Sequence, residues 1–222
     1  MCFFSDMISK RIRKIASLID NDSSVTDVGC DHGYLAICLR EAGNKQRIVC
    51  SDNKNGPLEN ARKNLERQDY ENIAYVLSDG LKNIDEMTDT VVMAGMGYLT
   101  MRKIILESYE KFAGYVNIIL QSNNSLPKLR RFLNQNGFEI VSEHMVHDDI
   151  YYTVIIARKG EQLLEENQYE FGFNLAKEDR KIFIEHWNHE ITKREQILQG
   201  IDPSSKGYEK IAGEIRKIRE VL

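Results

Sequence analysis

Hydrophobic residues follow two spacings in the first 160 residues of the chain. Short apolar segments bounded by turn residues alternate with segments in which apolar residues recur every three or four positions. This alternation is typical of βαβ units, in which helices connect parallel strands. It predicts a helix over residues 9–19, then strands over residues 25–28, 47–51, 74–77, 90–93 and 115–120. The intervening helices are predicted to begin near Tyr34, Pro57, Leu99 and Leu126.

The spacing changes after residue 137. Two apolar segments, residues 138–145 and 151–157, follow one another with the polar residues His147, Asp148 and Asp149 at the turn. Because so short a connection joins antiparallel strands, these segments predict a hairpin that closes the parallel sheet.

Only helical periodicity remains beyond residue 160. A break between Gly200 and Gly207 separates two apolar stripes, which consist of Ile184, Trp187, Ile191 and Leu198 and of Tyr208, Ile211, Ile215, Ile218 and Leu222. The regular spacing of the second stripe predicts two antiparallel, coiled-coil-like helices. The chain therefore divides into an α/β domain of residues 1–160 and a C-terminal helical domain of residues 161–222.

Composition narrows the class of protein. Hydrophobic residues make up 42% and charged residues 29% of the chain, a balance that argues for a globular fold and against disorder. Without a signal-peptide pattern or a run of about 18 apolar residues, we expect a cytoplasmic protein that does not span a membrane. The cysteines Cys2, Cys30, Cys38 and Cys50 form no CxxC pair and predict reduced, mostly buried thiols. Since the net charge is −4, binding of nucleic acid requires local basic patches, such as residues 10–14, 102–103 and 128–131.

The most informative segment reads TDVGCDHGYL, from Thr26 to Leu35, directly after the first predicted strand. Glycines there let the backbone pass close to a bound nucleotide, and the free N–H groups of a helix start favour a negatively charged group. The spacing Gly29-x-x-x-Gly33 departs from GxGxxG, which weakens the case for a nicotinamide-dependent oxidoreductase. A simple turn from strand to helix is the alternative for this segment taken alone.

Three aspartates stand at the ends of successive predicted strands, namely Asp27, Asp52 and Asp79. The carboxyl ends of parallel strands face one crevice, and an acid about 20 residues beyond the glycine turn is placed to accept hydrogen bonds from ribose hydroxyls. Together the three positions predict a nucleoside site. Any one of them alone is more typical of a helix cap or a turn.

Two further segments lie at the same predicted edge. The fourth strand runs into Gly95 and Gly97, and glycine permits a ligand to lie against the backbone. The fifth strand is followed by Gln121, Asn123 and Asn124, whose paired donors and acceptors suit the edge of a base. Capping of the loop by asparagine is the alternative.

The most informative motifs, in chain order, are Asp27-x-Gly29-x-Asp31-His32-Gly33-Tyr34-Leu35, Gly56-Pro57, Asp79-Gly80-Leu81, Ala94-Gly95-Met96-Gly97, Leu120-Gln121-x-Asn123, Phe171-Gly172, Leu175, Lys177-Glu178 and Trp187. Over nearly the whole chain they resemble the bacterial tRNA (adenine-N1)-methyltransferases that modify adenine 22. The resemblance implies a Rossmann-like class I methyltransferase sheet with a helical C-terminal domain. It also implies S-adenosylmethionine as cofactor, tRNA as partner and transfer of a methyl group to adenine N1.

The motifs and the resemblance together give the expected site residues. Cofactor contacts are expected at Asp27, Gly29, Cys30, His32, Gly33, Asp52, Asn53, Asp79, Gly80, Ala94, Gly95 and Met96. Substrate contacts are expected at Tyr34, Gly97, Gln121, Asn123, Asn124 and Tyr152. No metal is expected, because the pairs His144/His147 and His186/His189 lack a closed set of ligands.

The chain departs from the family pattern at several positions. Family members usually carry glutamate where Asp52 stands, glycine where Tyr98 stands and proline where Ser122 stands. The hairpin turn usually contains Gly-Lys near Asp149-Ile150, whereas the following tyrosine is kept as Tyr152. These differences leave the cofactor unchanged and weaken a catalytic role for the hairpin turn.

Adenine N1 carries an in-plane lone pair at neutral pH, so the reaction requires positioning and no strong base. The methylated ring is cationic, and Asp31 is our candidate for the carboxylate that stabilises it. The alternative is that Asp31 only binds the cofactor or caps the helix. Because N1 is hidden in a paired base, the target has to be unstacked, and Tyr34, Tyr98 or Tyr152 could stack on it.

Two other functions stay open at this point. One is a methyltransferase that acts on another RNA or on a small molecule, and the other is a nucleotide-binding module without turnover. The C-terminal region contains ten basic and thirteen acidic residues. It either contacts tRNA by shape and a few cations, or serves as a stabilising hairpin or an oligomer interface. We expect a monomer.

Overall fold

The computed structural model describes residues 7–222, apart from the side chains of residues 175 and 176. Its seven-stranded sheet comprises β1 (Val25–Val28), β2 (Ile48–Asp52), β3 (Ile73–Leu77), β4 (Thr90–Met96), β5 (Asn117–Ser122), β6 (Phe138–Asp148) and β7 (Ile150–Lys159). Before and between the strands lie α1 (Lys10–Ser17), α2 (Tyr34–Glu41), α3 (Asn55–Glu66), α4 (Tyr98–Glu107), α5 (Tyr109–Ala113) and α6 (Leu126–Gln135). After them come α7 (Glu166–Phe171), α8 (Leu175–Glu178), α9 (Arg180–Leu198) and α10 (Lys206–Val221). The predicted thiol at Cys2 lies outside the described residues, whereas Cys30, Cys38 and Cys50 are buried thiols, as predicted.

The strand order is β3-β2-β1-β4-β5-β7-β6. Strands β1 to β5 pair in parallel, β7 is antiparallel to β5, and β6 is antiparallel to β7. This arrangement confirms the predicted Rossmann-like sheet with its antiparallel final hairpin. The strand order reverses between β1 and β4, and open α/β sheets bind ligands beyond the carboxyl ends of the strands at such a point.

Both faces of the sheet are buried. In β4, Val91 and Met93 belong to the core that contains residues of α4 to α6, whereas Val92 belongs to the core that contains residues of α1 to α3. In β5, Ile118 and Leu120 belong to the first of these cores, and Ile119 belongs to the second. Because successive side chains face opposite sides of a strand, burial of both faces explains why these segments read as continuous apolar runs.

The last two helices pack against each other in antiparallel directions, as predicted. Arg180 at the start of α9 donates to the Leu222 carbonyl oxygen at the end of α10, and Arg194 Nε lies 3.1 Å from Glu214 Oε2. Among residues 7–222, no helix is both long and apolar enough to cross a membrane. Coiled-coil geometry and a domain boundary at residue 160 stay predictions.

The structure corrects the prediction in three places. Strand β4 continues past residue 93 to Met96, because a bulge opposite β5 accommodates Gly95 with φ +76°. The hairpin turn reduces to Asp149, with φ +61°, since β6 extends to Asp148.

On α9, Phe183 is buried in place of Ile184, because Phe183 shares a helix face with Trp187 four residues later. The short helices α5, α7 and α8 were not predicted, since segments of this length carry little periodicity.

A buried ion pair joins the sheet to the C-terminal region. Arg130 of α6 and Glu143 of β6 have side chains that are 2% and 0% exposed, and Arg130 Nη2 lies 2.9 Å from Glu143 Oε2. Arg130 Nη1 also donates to the Tyr169 carbonyl oxygen at 2.8 Å, and the Phe173 N–H donates to Glu143 Oε1 at 2.9 Å. Since both charges are fully paired, the segment around α7 is held against α6 and β6.

Loss of one partner of this pair should destabilise the protein strongly. We expect Glu143→Ala to lower the free energy of unfolding by about 3–5 kcal/mol, because it leaves the Arg130 charge buried without its partner. Glu166→Ala is the matched control, since Glu166 pairs with Arg131 at the surface and is expected to cost about 0–1 kcal/mol. Urea unfolding monitored by circular dichroism measures both values, and equal losses in the two variants would contradict the assignment.

Candidate active site

Two neighbouring cavities open at the carboxyl ends of the parallel strands. The first, here called the Asp52 cavity, has a volume of 550 Å³ and is lined by Val28, Gly29, Asp52, Asn53, Ser78, Asp79, Gly80, Ala94, Gly95, Met96, Leu99, Thr100, Lys103 and Ile104. The second, the Asp31 cavity, has a volume of 390 Å³ and is lined by Met7, Ser9, Arg11, Ile12, Asp27, Gly29, Cys30, Asp31, His32, Tyr34, Leu35, Ala94 and Gly95. Gly29, Ala94 and Gly95 belong to both linings, so the cavities meet between β1 and β4.

The turn between β1 and α2 forms the wall that the cavities share. The N–H groups of Gly29 and Cys30 both donate to the Ser51 carbonyl oxygen, at 2.8 and 2.9 Å, which ties the turn to β2. Gly29 has φ +81°, and a Cβ atom at this position would lie 2.6 Å from Met96 Cε. Only glycine fits here without a shift of Met96, so the crevice stays open between the two strands.

Asp31 follows in the left-handed region, with φ +48°. Its side chain is 67% exposed at the surface of the Asp31 cavity, and one carboxylate oxygen lies 3.6 Å from His32 Nε2. The His32 ring stacks on Tyr34 with 5.3 Å between the ring centroids. An exposed carboxylate and two aromatic rings therefore border the same cavity.

Asp27 differs from Asp31 in its surroundings. It is 6% exposed within β1, and burial raises the pKa of its carboxyl to about 7, with a further contribution from the negative charge of Asp52. A carboxyl with this pKa gains a charge readily when a cation binds beside it.

The other two aspartates line the Asp52 cavity. Asp52 Oδ1 accepts a hydrogen bond from the Lys54 N–H at 3.0 Å. Asp79 Oδ2 lies 2.7 Å from Lys82 Nζ and 3.8 Å from Lys103 Nζ, and these cations lower the pKa of its carboxyl. In the part of the chain that the structure describes, no group of three histidine, cysteine or acidic side chains has the arrangement of a metal site.

The amide residues after β5 hold the bulge of β4 in place. Gln121 is fully buried, and its Oε1 accepts hydrogen bonds from the Gly95 N–H at 3.0 Å and from Arg11 Nη1. Its Nε2 donates to Asn123 Oδ1 at 3.1 Å, and Asn123 Nδ2 donates to the Gly95 carbonyl oxygen at 2.8 Å. Asn124 Oδ1 accepts from the Tyr98 N–H at 3.1 Å. The amides thus bind protein backbone at the position where a base edge was expected.

Seven expected contacts lie outside both cavity linings, and four of them, Gly33, Gly97, Gln121 and Tyr98, have a packing role. At Gly33 a Cβ atom would lie 2.9 Å from Leu65 of α3, and at Gly97 it would lie 3.2 Å from Asn124 Nδ2. Gln121 supports the bulge, and the Tyr98 ring packs edge-on against Phe132 with 6.4 Å between centroids. Asn123, Asn124 and Tyr152 line a third cavity, next to the Asp31 cavity.

Arg11 is a site residue that the sequence did not single out. It lines the Asp31 cavity, its guanidinium lies over the Tyr152 ring at 5.2 Å from the centroid, and it bonds to Gln121. In the sequence it belongs to the basic cluster of residues 10–14, and nothing in that cluster distinguishes the cation that lines the cavity from the others. Ser78, Leu99, Thr100 and Lys103 were missed for a similar reason, because they come from loops and helix starts without a recognisable motif.

Comparison with known proteins decides the family. The family model described as tRNA (adenine(22)-N(1))-methyltransferase matches residues 25–220. The chain belongs to this family. The Bacillus subtilis protein named tRNA (adenine(22)-N(1))-methyltransferase is 26% identical over 231 residues, which cover 97% of each chain.

Two solved structures of similar proteins contain the cofactor or its product. A Mycoplasma capricolum TrmK in complex with S-adenosyl-homocysteine is 31% identical, covers 96% of this chain and 97% of its own, and superposes with a TM-score of 0.81. A Streptococcus pneumoniae protein in complex with S-adenosyl-L-methionine is 32% identical, covers 97% of this chain and 100% of its own, and gives a TM-score of 0.86. Like the rest of the tRNA (adenine(22)-N(1))-methyltransferase family, this chain is an S-adenosylmethionine-dependent enzyme, which confirms the function that the resemblance implied.

The raised pKa of Asp27 makes the stability of this methyltransferase depend on pH. The folded protein holds the Asp27 proton up to about pH 7, whereas the unfolded chain releases it near the ordinary value of 3.8. Stability from this group is therefore complete below 3.8 and is lost as the pH rises through about 7. We expect Asp27→Asn to become more stable relative to the wild type across this window, by up to about 1.4 kcal/mol per pH unit.

Urea unfolding at a series of pH values measures this difference. Asp22→Asn serves as the control at an exposed position, and its stability should follow the wild-type curve. Parallel curves for the wild type and Asp27→Asn would show that the carboxyl is ionised in the folded protein throughout.

Proposed function

We propose that S-adenosylmethionine binds across the two cavities and that adenine 22 of tRNA enters at the outer side of the Asp31 cavity. The observation that supports this most directly is that the two cavities adjoin one another, because Gly29, Ala94 and Gly95 line both. The donor set fits the cofactor, because carboxylates face both cavities and suit the ribose hydroxyls and the positive charges of the ligand. When bound, the cofactor supplies an electrophilic methyl group on a cationic sulfur.

In this proposal the Asp52 cavity holds the adenosine part of the cofactor. Asp52 has one oxygen engaged by the Lys54 N–H, which fixes the orientation of the carboxylate at the end of β2. Its remaining acceptor capacity suits the ribose hydroxyls. Asp79 and Gly80 stand beyond it, after β3, and border the space for the adenine ring together with Asn53 and Met96.

The Asp31 cavity holds the methionine part and the reacting end. Gly29, Cys30 and His32 line this cavity just before α2, and the first N–H groups of that helix favour a carboxylate. Asp27 lies at the floor, and its carboxyl releases its proton when the ligand places a positive charge next to it. Ala94 and Gly95 close the cavity on the side of β4.

The residues at the outer side of the cavity position the adenine. N1 already carries its lone pair, so the chain has to orient the ring and exclude competing arrangements, and no side chain has to remove a proton from N1. Tyr34 and Tyr152 offer faces for stacking, and Asn123 lies beside Gly95. The Asp31 carboxylate stabilises the positive charge that the ring acquires.

The proposed substrate makes tRNA the binding partner and indicates the cellular compartment. We propose that the C-terminal helical domain contributes to the binding of tRNA, and that the chain acts in the cytoplasm as a monomer.

The contact between Asp52 and the cofactor predicts a loss of affinity in Asp52→Asn. The amide keeps an acceptor for the Lys54 N–H and loses the charge-assisted hydrogen bonds to the ribose. We expect the Kd for S-adenosylhomocysteine to rise roughly ten- to hundredfold, as measured by isothermal titration calorimetry. Asp52→Glu restores the carboxylate and should bind within a few-fold of the wild type. Equal affinity in Asp52→Asn would remove Asp52 from the site.

The role of Asp31 predicts a loss of turnover without a loss of cofactor binding. Asp31→Asn is the suitable variant, because asparagine matches aspartate in size and also tolerates the left-handed backbone that this position requires. We expect wild-type protein and labelled methyl donor to form 1-methyladenosine at position 22 of unmodified tRNA, and Asp31→Asn to lower kcat about a hundredfold. Calorimetry with S-adenosylhomocysteine should give a nearly unchanged Kd. Full activity in Asp31→Asn would refute the role, and a wild type that methylates no tRNA would refute the proposed reaction.

A further inference from the structure

A third cavity lies between the sheet and helix α9, and we call it the Trp187 cavity. It has a volume of 480 Å³, and its lining includes Asn123, Asn124, Tyr151, Tyr152, His186 and Trp187. Sites for small organic groups usually occupy about 300–1,000 Å³. The cavity adjoins the Asp31 cavity, because Asn123 Nδ2 donates to the Gly95 carbonyl oxygen and the Tyr152 ring faces Arg11 of that lining.

Aromatic rings form the far wall of this cavity. The ring centroids of Tyr151 and His186 lie 4.9 Å apart, and those of His186 and Trp187 are also 4.9 Å apart. Phe171 supports the indole from behind, with 5.0 Å between ring centroids and an interplanar angle of 70°. A wall of this kind suits a flat ring, because stacking on aromatic faces requires little more than planarity.

Two nitrogen atoms of these rings have unused hydrogen-bonding capacity. Within the described residues, His186 Nδ1 and Trp187 Nε1 are buried and have no hydrogen-bond partner. The indole N–H can only donate, whereas a neutral imidazole offers one donor and one acceptor. Burial lowers the pKa of His186 below its ordinary value, which favours the neutral ring. Buried polar groups are normally paired, and a ligand whose entry turns these rings would supply the missing partners.

The charges of the lining argue against an anion as that ligand. Arg130 is paired with the buried Glu143, and Arg194 lies 2.6 Å from Glu190 and 3.1 Å from Glu214. Glu190 and Glu170 add two carboxylates to the lining itself. Since both arginines already have carboxylate partners, the lining that the structure describes offers no unneutralised cation to a phosphate.

We infer that the Trp187 cavity binds a second nucleobase of the RNA substrate, from a nucleotide that flanks the methylated adenine. This inference rests on the proposed function, because it requires an RNA substrate. A neutral, flat ring with hydrogen-bonding edges matches the aromatic wall, the two unpartnered nitrogens and the paired charges. The contacts of Asn123 with Gly95 and of Tyr152 with Arg11 place this cavity next to the one that receives the target base.

Trp187 is the single tryptophan of the chain, so its fluorescence reports on this cavity alone. Full-length protein saturated with S-adenosylhomocysteine is titrated with unmodified tRNA transcript. We expect quenching of the Trp187 emission as a base stacks on the wall. Heparin, a polyanion without bases, should leave the emission unchanged, as should S-adenosylhomocysteine added alone. Equal quenching by heparin, or tRNA binding without quenching, would overturn the inference.

Steady-state kinetics provide the second readout. Trp187→Phe keeps an aromatic ring and removes the N–H group, and we expect the KM for tRNA to rise roughly five- to tenfold with little change in kcat or in the KM for the cofactor. His186→Phe should act in the same direction and serves if Trp187→Phe fails to fold. Asn188→Ala, at an exposed position of the same helix, is the matched control and should keep the wild-type KM. An unchanged KM for tRNA in both aromatic variants would refute the second base.

The two proposals can fail separately. Quenching by tRNA without formation of 1-methyladenosine would leave the cavity assignment in place and refute the proposed reaction. If Trp187→Phe and His186→Phe both form 1-methyladenosine with the wild-type KM for tRNA, the proposed reaction stands and the assignment of the Trp187 cavity is refuted. If tRNA neither binds nor is methylated, both proposals are wrong.

Discussion

The buried pair of Arg130 and Glu143 constrains how the C-terminal helices lie on the sheet. A charge removed from water has to be matched by partners with good geometry, and here the partners come from α6, from β6 and from the backbone around α7. The segment at Tyr169 to Phe173 is therefore fixed before the long helix α9 begins. Because this segment precedes α9, it helps to place Trp187 in the lining of the Trp187 cavity. That cavity therefore depends on an ion pair that lies outside the Asp52 and Asp31 cavities.

A second constraint acts inside the sheet, at the bulge of β4. Gln121 is buried and bonds to both the Gly95 N–H and Asn123, and Asn123 is held in turn because its Nδ2 donates to the Gly95 carbonyl oxygen. This network holds the bulge of β4 in place at Gly95, which together with Gly29 lines both the Asp52 cavity and the Asp31 cavity. Positioning is the main demand of the reaction, and a fixed backbone meets it better than a mobile loop.

The sequence predicted the parts of the fold that depend on local pattern and missed those that depend on distant contacts. The apolar run of β1 and the turn at Gly29 follow from short-range rules, and the structure places them as expected, whereas β5 begins and ends two residues later than predicted. The role of Gln121 was misjudged because an amide that binds protein backbone has the same residue type as one that reads a base. Arg11 was missed because only the packing of α1 against the end of the sheet turns it inward. The buried residue of α9 is Phe183 and not the predicted Ile184, because the two residues are adjacent and both lie close to the same apolar stripe of the helix.

In the proposed mechanism the two aspartates near the reacting methyl group, Asp27 and Asp31, have different electrostatic roles. Methyl transfer moves a positive charge from sulfur to the adenine ring and creates no net charge, so an anion that stabilised only the sulfur would slow the reaction. Asp27 is buried, and because burial raises the pKa of its carboxyl to about 7, it is only partly ionised near pH 7 before the cationic donor binds beside it. Asp31 is exposed, and it lies on the same cavity as the rings that would hold the base. In this proposal the exposed carboxylate of Asp31 therefore lies beside the base, where the positive charge arises in the product.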